Sequence, residues 1–210
     1  MLKIIDLTSS YSPAIAGFSS DVAKTVQQNG WNASNLHIYS HAGTHMDAPY
    51  HFEVTDERID EIPVERFISK AHVVSVEIYQ SKQLITVADF SAIDKLIKPG
   101  ESIIIKTGWS NYLGTDKYRN ELPRISKEAA EWLVERKVNM LAVEPPSVAD
   151  VNNLPEVTLI HQILLSGNII IVEGICNTSA LTNNTVQLIA LPLKILKGDG
   201  APARVIAIQE

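Results

Sequence analysis

Four side chains able to ligate a metal fall within eleven consecutive positions: His41, His45, Asp47 and His51. They stand in the run Ser40-His41-Ala42-Gly43-Thr44-His45-Met46-Asp47-Ala48-Pro49-Tyr50-His51-Phe52, which holds three of the chain's six histidines. Imidazole and carboxylate together suit a borderline divalent ion such as zinc, manganese or iron. The one cysteine, Cys176, is remote in sequence, so a structural zinc site closed by thiolates is not expected. A His/His/carboxylate set with an open position is the arrangement of a catalytic ion.

Two more candidates lie downstream. His161 falls among the apolar residues Leu159, Ile160, Ile163 and Leu164, and Glu173 ends the apolar run Ile169-Ile170-Ile171-Val172. A carboxylate at the end of a buried strand must be paired, bound to metal or at the surface. The residues alone leave His161 open as a satisfied or exposed helix histidine, and Glu173 as a strand-end surface acid.

The elements that must position these groups are read from apolar periodicity. Runs rich in β-branched residues predict strands over 4–7, 36–40, 73–78, 103–106, 140–143, 169–172, 186–191 and 205–208. Thr86-Val87-Ala88-Asp89 is a capping box ahead of Phe90, Ile93 and Ile97, and Pro99-Gly100 stops that helix. Ser126 caps a second helix, and a third runs from Pro155 to Gly167. The polar segment 9–35 is expected to hold a short helix around Asp21–Gln28. The histidine run follows a predicted strand, and Gly43 and Pro49 interrupt any regular helix through it, so its ligands are expected on a strand-to-loop junction. No repeat or linker divides the chain, so one α/β domain, 1–210, is expected, strand-rich with three to four helices.

Composition narrows the function classes. Eighteen basic against 24 acidic residues give a net charge of −6, with no basic run to neutralise phosphates, so neither nucleic acid nor an anionic membrane is an expected partner. Apolar stretches fall far short of the ~20 residues of a spanning helix. The acid at Asp6 comes too early for a secretory signal, and the single cysteine suits a reducing compartment, so a cytoplasmic protein is expected. Thirteen aromatics among 210 residues leave the core to Ile, Val, Leu and Ala.

The run from His41 to His51 matches His-x-Gly-Thr-His-x-Asp-x-Pro-x-His position for position. In this it resembles the cyclase family of metal hydrolases, which includes bacterial kynurenine formamidases and isatin hydrolases. Ile5-Asp6-Leu7-Thr8 resembles the family's opening strand, and Lys106-Thr107-Gly108-Trp109 its Thr-Gly-Trp element. Glu144-Pro145-Pro146-Ser147 resembles its Asp-x-Pro-Ser turn, with Glu in place of Asp, and His161 to Glu173 resembles its closing block. The resemblance implies a mixed β/β/α, swivelling-type fold assembled as a homodimer or larger homo-oligomer. It implies that His41, His45 and Asp47 bind a first metal. Asp47 would bridge to a second ion held also by His161 and Glu173, and His51 would be the acid/base residue. Zinc or manganese is the implied metal, with one or two ions per subunit.

The implied activity is hydrolysis of a small amide, an aryl formamide or a cyclic amide, by metal-activated water. A Trp-Pro-Gly-Asp-like stretch of typical kynurenine formamidases is missing near Tyr11–Gly17, so the choice of amide stays open. A metal-dependent lyase or isomerase, and a non-catalytic metal-binding protein, are the alternatives. Thr44 is expected to orient ligands, Cys176 to be a buried inert thiol, and Trp109 to be core or a pocket wall. His37 and His72 are expected to be structural or exposed, and Gly198-Asp199-Gly200 is read as a turn.

Overall fold

Alternation along the apolar runs, with small side chains on one face, is what shapes this chain. The computed structural model describes residues 2–209. In chain order the elements are β1 (Lys3–Asp6), β2 (Phe18–Lys24), α1 (Val26–Asn29), β3 (Ala33–Ile38), β4 (His45–Asp47), β5 (Ile68–Ser75), β6 (Leu84–Ile85) and β7 (Ser102–Lys106). They continue with α2 (Asp116–Asn120), β8 (Arg124–Ile125), α3 (Lys127–Glu135), β9 (Met140–Val143), α4 (Leu154–Ser166), β10 (Ile170–Glu173), β11 (Thr185–Pro192) and β12 (Gly200–Gln209).

Among the described residues, seven strands close a ring in the order β12-β11-β5-β7-β9-β10-β4, because β4 pairs with both β10 and β12. Strands β5, β7, β9 and β10 run parallel, and the remaining pairs are antiparallel. The long β12 pairs with β4 through Gly200–Pro202 and with β1 further on. Inward-facing residues include Met46, Ala71, Ile104, Ala142, Val172, Ala190, Ala203 and Ala207. A seven-stranded barrel leaves little interior, and the many alanines fill it without forcing the strands apart.

The opposite faces of β7, β9 and β10 carry Ile103, Ile105, Leu141, Val143 and Ile171, which pack under α3 and α4. Asn153 caps α4 by accepting from the Glu156 N–H, and Pro155 occupies its first turn. The helix buries Ile160, His161, Leu164 and Leu165; each of its aliphatic side chains contributes ~1.5–3 kcal/mol on burial. The fold is thus the expected single-domain mixed α/β arrangement with four α-helices among the described residues, and its strands form a closed barrel.

Two expected elements differ. The Thr86 capping box is present, with Asp89 returning to the Thr86 N–H, but it opens a single 3-10 turn over Val87–Phe90. Backbone bonds from Ile93 to Phe90 and from Leu96 to Ile93 have a spacing of three, and the one from Ile97 to Ile93 a spacing of four, so the chain continues as successive turns, and Phe90, Ile93 and Ile97 are buried all the same. The apolar pattern is satisfied by turns as well as by a helix. The expected helix around Asp21–Gln28 is instead the end of β2 followed by the one-turn α1. Pairing with β3 claims this backbone, and Asp21 accepts from Asn35 Nδ2 across the hairpin.

Candidate metal centre

The two-residue period of a strand decides where the motif points. Met46, in the middle of β4, enters the barrel core, so His45 and Asp47 face outward beneath α4. Register does the same on β10: Val172 points in and Glu173 out, directly across from His45. His161 descends from α4 onto the same spot, and all four side chains are buried. His41 reaches them from the loop before β4. The five expected ligands, distributed over 133 positions of sequence from 41 to 173, therefore meet at Asp47.

Asp47 Oδ1 lies 2.8 Å from His41 Nδ1 and 3.7 Å from His45 Nε2. Its other oxygen, Oδ2, lies 3.7 Å from His161 Nε2. Glu173 completes the cluster, with Oε2 at 3.1 Å from His45 Nε2 and Oε1 at 3.4 Å from His161 Nε2. Two imidazoles are oriented by backbone: His45 Nδ1–H donates to the Gly43 carbonyl at 2.9 Å and His161 Nδ1–H to the Val157 carbonyl at 2.7 Å. Both therefore present Nε2 to the carboxylates, as metal-ligating histidines do when their far nitrogen is held.

Among the described residues three sets of donor atoms could each hold a cation: His41/His45/Asp47 and Asp47/His161/Glu173, which share Asp47, and a more exposed set, His41/His51/Asp199. The test of fit is Asp47 Oδ2, which is buried without a hydrogen-bond partner. A buried carboxylate oxygen left so is costly unless a cation satisfies it. All donors are nitrogen or oxygen, the chemistry that zinc, manganese and iron accept.

Charge in the cluster is finely opposed. Burial disfavours an imidazolium at His41, but Asp47 and Asp199 outweigh it and lift its pKa to about 9. Burial likewise works against charge on His45 and His161, and Glu173 and Asp47 hold both above the ordinary histidine value. At Asp47 burial raises the pKa, while His41, His45 and His161 win and hold it below the usual carboxylate range. His51 goes the other way: burial lowers its pKa, with the Asp47 carboxylate opposing and His41 and His161 adding to the fall. Its ring sits in the 3-10 turn Pro49–Phe52, stacks on His41 at 3.8 Å, and keeps 24% of its surface exposed. It is the histidine of this group that stays neutral near pH 7 and within reach of solvent.

The loops are tied to one another. Thr44 Oγ1 donates to the Gly174 carbonyl at 2.7 Å and accepts from the Ser9 N–H. Gly174 has φ 67°, and a Cβ there would lie 2.3 Å from the Gly43 carbonyl oxygen, so only glycine lets the histidine loop close on the end of β10. Glu173 Oε1 also accepts from the Val148 N–H at 2.7 Å.

Glu144 is buried but is no member of any of these donor sets. It accepts from the N–H groups of Thr107, Gly108 and Ser110 and from Thr178 Oγ1, so it anchors the Thr-Gly-Trp turn. Glu144→Ala strands those donors and is expected to destabilise the protein by about 3–5 kcal/mol in urea unfolding. A loss under ~1 kcal/mol would show that the donors find other partners.

The remaining candidates lie elsewhere. Trp109 is buried against Tyr118 and Leu122 and donates through Nε1 to the Tyr118 carbonyl, so it is core. Cys176 is half-buried, and burial pushes its thiol pKa up. His72 is buried and paired with Glu101, His37 is exposed beside Asp21, and Asp150 pairs with Lys82. The residue that sequence reasoning missed is Asp199. Its Oδ2 lies 3.0 Å from His41 Nε2, brought there by the β4–β12 pairing. An acid between two glycines signals a turn, and nothing local signals the strand it abuts.

A cavity of about 420 Å³ opens beside His41 and Gly43, walled by Ile15, Tyr39, Leu113 and Pro146. Its size and partly apolar wall fit a small organic molecule.

Comparison with known proteins gives this arrangement its relatives. Kynurenine formamidase from Salinibacter ruber is 28% identical over 215 residues, covering 98% of this chain and 97% of that protein. Kynurenine formamidase from Bacillus cytotoxicus is 27% identical, covering 92% of this chain and 88% of its own. Isatin hydrolase A from Ralstonia solanacearum superimposes with a TM-score of 0.88 at 25% identity, over 100% of this chain and 92% of that one. The Putative cyclase sequence profile matches residues 5–150, from the opening strand through the histidine run to the turn that holds Glu173, and the chain belongs to that family.

Proposed function

We propose that this protein is a metal-dependent amidohydrolase acting on a small aryl formamide or cyclic aryl amide. The observation that carries the reading is the partnerless, buried Asp47 Oδ2 at the meeting point of three imidazoles and Glu173. Kynurenine formamidases and an isatin hydrolase among the relatives support amide hydrolysis as the reaction. His41, His45 and Asp47 would hold one ion, and Asp47, His161 and Glu173 a second; zinc or manganese fits the donors. When bound, such an ion supplies activation of water near neutral pH and polarisation of the scissile carbonyl.

The chain's own residues do the rest. His51 accepts the proton of the attacking water on its neutral ring, at Nε2, since Nδ1 faces Asp199 at 3.8 Å. It returns that proton to the leaving nitrogen as the C–N bond breaks. Its depressed pKa keeps the base form available at pH 7. Phe52 stacks on His161 at 4.4 Å and holds that ring in place. The cavity beside His41 accommodates the aryl group and limits water at the reacting carbon.

Assembly as a homo-oligomer and a cytoplasmic location belong to the same proposal. Val22, Trp31 and Leu36, exposed on and beside the β2–β3 hairpin, support a second copy as partner. Among the described residues no helix is long and apolar enough to cross a membrane.

Dialysis against a chelator should remove hydrolysis of N-formylkynurenine, isatin or a simple aryl formamide, and added zinc or manganese should restore it. Full activity in protein shown by elemental analysis to be metal-free would sink the proposal.

A further inference from the structure

The three imidazoles around Asp47 are not held alike. His45 and His161 each donate Nδ1–H to a backbone carbonyl, of Gly43 and Val157, and so present Nε2. His41 is turned the other way: Nδ1 faces Asp47 Oδ1 at 2.8 Å, and Nε2 lies 3.0 Å from Asp199 Oδ2. Both partners are carboxylates, and an ion held at Asp47 would take the Nδ1 lone pair, leaving the ring's one proton on Nε2, where the ionised Asp199 carboxylate accepts it. A carboxylate thus does for His41 what a carbonyl does for the other two, with a full negative charge behind it.

Asp199 is not a swinging surface acid. Its own carbonyl accepts from the Ala48 N–H at 3.0 Å, the Gly198 carbonyl accepts from the Ile59 N–H, and the Lys197 N–H donates to Asp60 Oδ1. The next residue presses on the same ring: a Cβ at Gly200 would lie 2.6 Å from His41 Cε1. Asp199 Oδ2 also accepts from Ser40 Oγ at 3.4 Å and stands 3.8 Å from Nδ1 of His51, whose ring stacks on His41.

We infer that Asp199 is a positioning residue that fixes the tautomer and plane of His41, so that Nδ1 is presented to the metal, and that supports the His41–His51 stack from behind. This rests on the reading that the Asp47 cluster holds a divalent ion. Carboxylates that orient a metal-bound imidazole are worth roughly 10–100-fold in metal affinity.

The geometry also admits a rival, since His41, His51 and Asp199 could together hold an ion directly. Imidazole bridging through both nitrogens of His41 would then be needed, so positioning is the simpler role.

The test uses cobalt(II) as the probe, with Asp199→Ala and Asp199→Asn beside the wild-type protein. Metal affinity is measured by competition with a chromophoric chelator, stoichiometry by elemental analysis, and ligand geometry by the visible absorption of the bound cobalt. The expected result is unchanged stoichiometry, a visible band of unchanged intensity, and affinity weakened roughly 10–100-fold in Asp199→Ala. Asp199→Asn, which keeps the shape and an acceptor oxygen but not the charge, should fall between. Affinity within about twofold of wild type in both variants would overturn the inference, leaving Asp199 a turn residue. Loss of one cobalt per chain would overturn it too, making Asp199 a ligand. Wild-type protein that takes up no cobalt would remove the metal reading itself, an outcome distinct from both.

Discussion

Asp47→Asn is expected to cost the protein its bound divalent metal and to lower hydrolysis about 10³-fold or more, with the barrel still folded. Asp47 is the member common to two of the donor sets, and its amide analogue cannot supply the charge that either of them needs. The ion contributes several kcal/mol to the transition state, and each 1.36 kcal/mol is tenfold in rate. Elemental analysis and single-turnover rates check both parts; a variant that retains metal and rate would show that the cluster is not the site.

The same charges make the effect depend on pH. His41, with its pKa lifted from 6.5 to about 9, contributes stability that is fully present below about pH 6.5 and lost as pH rises through 9. For wild-type protein kept in chelator, that loss is on the order of 3 kcal/mol from His41 alone. Metal binding must displace the same protons, so affinity rises over the same interval. The melting-temperature gap between metal-loaded and chelated protein should therefore widen from pH 6 to pH 9. In Asp47→Asn the chelated protein should lose much of its slope, because the carboxylate paired with His41 is gone. A gap that stays constant with pH would mean that the imidazoles are not ligands.

His51→Ala carries the second large effect. The expected outcome is a fall of ~10²–10⁴ in kcat with metal content unchanged. The geometry argues for this split: the His51 ring stacks on His41 and stays partly exposed, while neither donor set built on Asp47 includes it. Burial lowers its pKa below 6.5, so wild-type kcat/KM should be flat at pH 7 and fall only in the more acidic range. The residual activity of His51→Ala should lack that acid limb. Loss of metal on this substitution would make His51 a ligand and end its role as proton carrier.

How much of this was readable before folding depends on the distance over which each feature is encoded. The ligand types of His41, His45 and Asp47 stand within seven positions, but the run is expected at a strand-to-loop junction; pairing with β10 and β12 makes His45–Asp47 a strand, whose period of two puts both side chains on one face. His161 and Glu173 stand as open candidates on the residues alone, which allow a satisfied helix histidine and a surface acid, and only the resemblance assigns them as ligands. What removes that freedom is the pairing of Glu173 with His45 across β10 and β4 and the seating of α4 over them. The Asp21–Gln28 and Thr86–Ile97 segments depart from the expected helices, in the first case all but the one-turn α1, for a related reason. Their local preferences are weak, and pairing with β3 in one case, and burial of Phe90, Ile93 and Ile97 in the other, chose the conformation.

By itself, then, the order of residues determined the chemistry available: a nitrogen-and-oxygen metal set, a spare histidine, and no thiolate. It also marked most of the long barrel strands, since runs of β-branched apolar residues are a local property, but neither β2 nor the ligand-bearing β4. Closure of the barrel was left to tertiary structure. So were the roles of Asp199 and Glu144, which depend on which backbone and which ring lie opposite them. Strand pairing brings together residues far apart in the chain, and its register follows from how the whole core packs. A carboxylate becomes a support for His41, or an anchor for three backbone N–H groups, only after that packing has delivered it there.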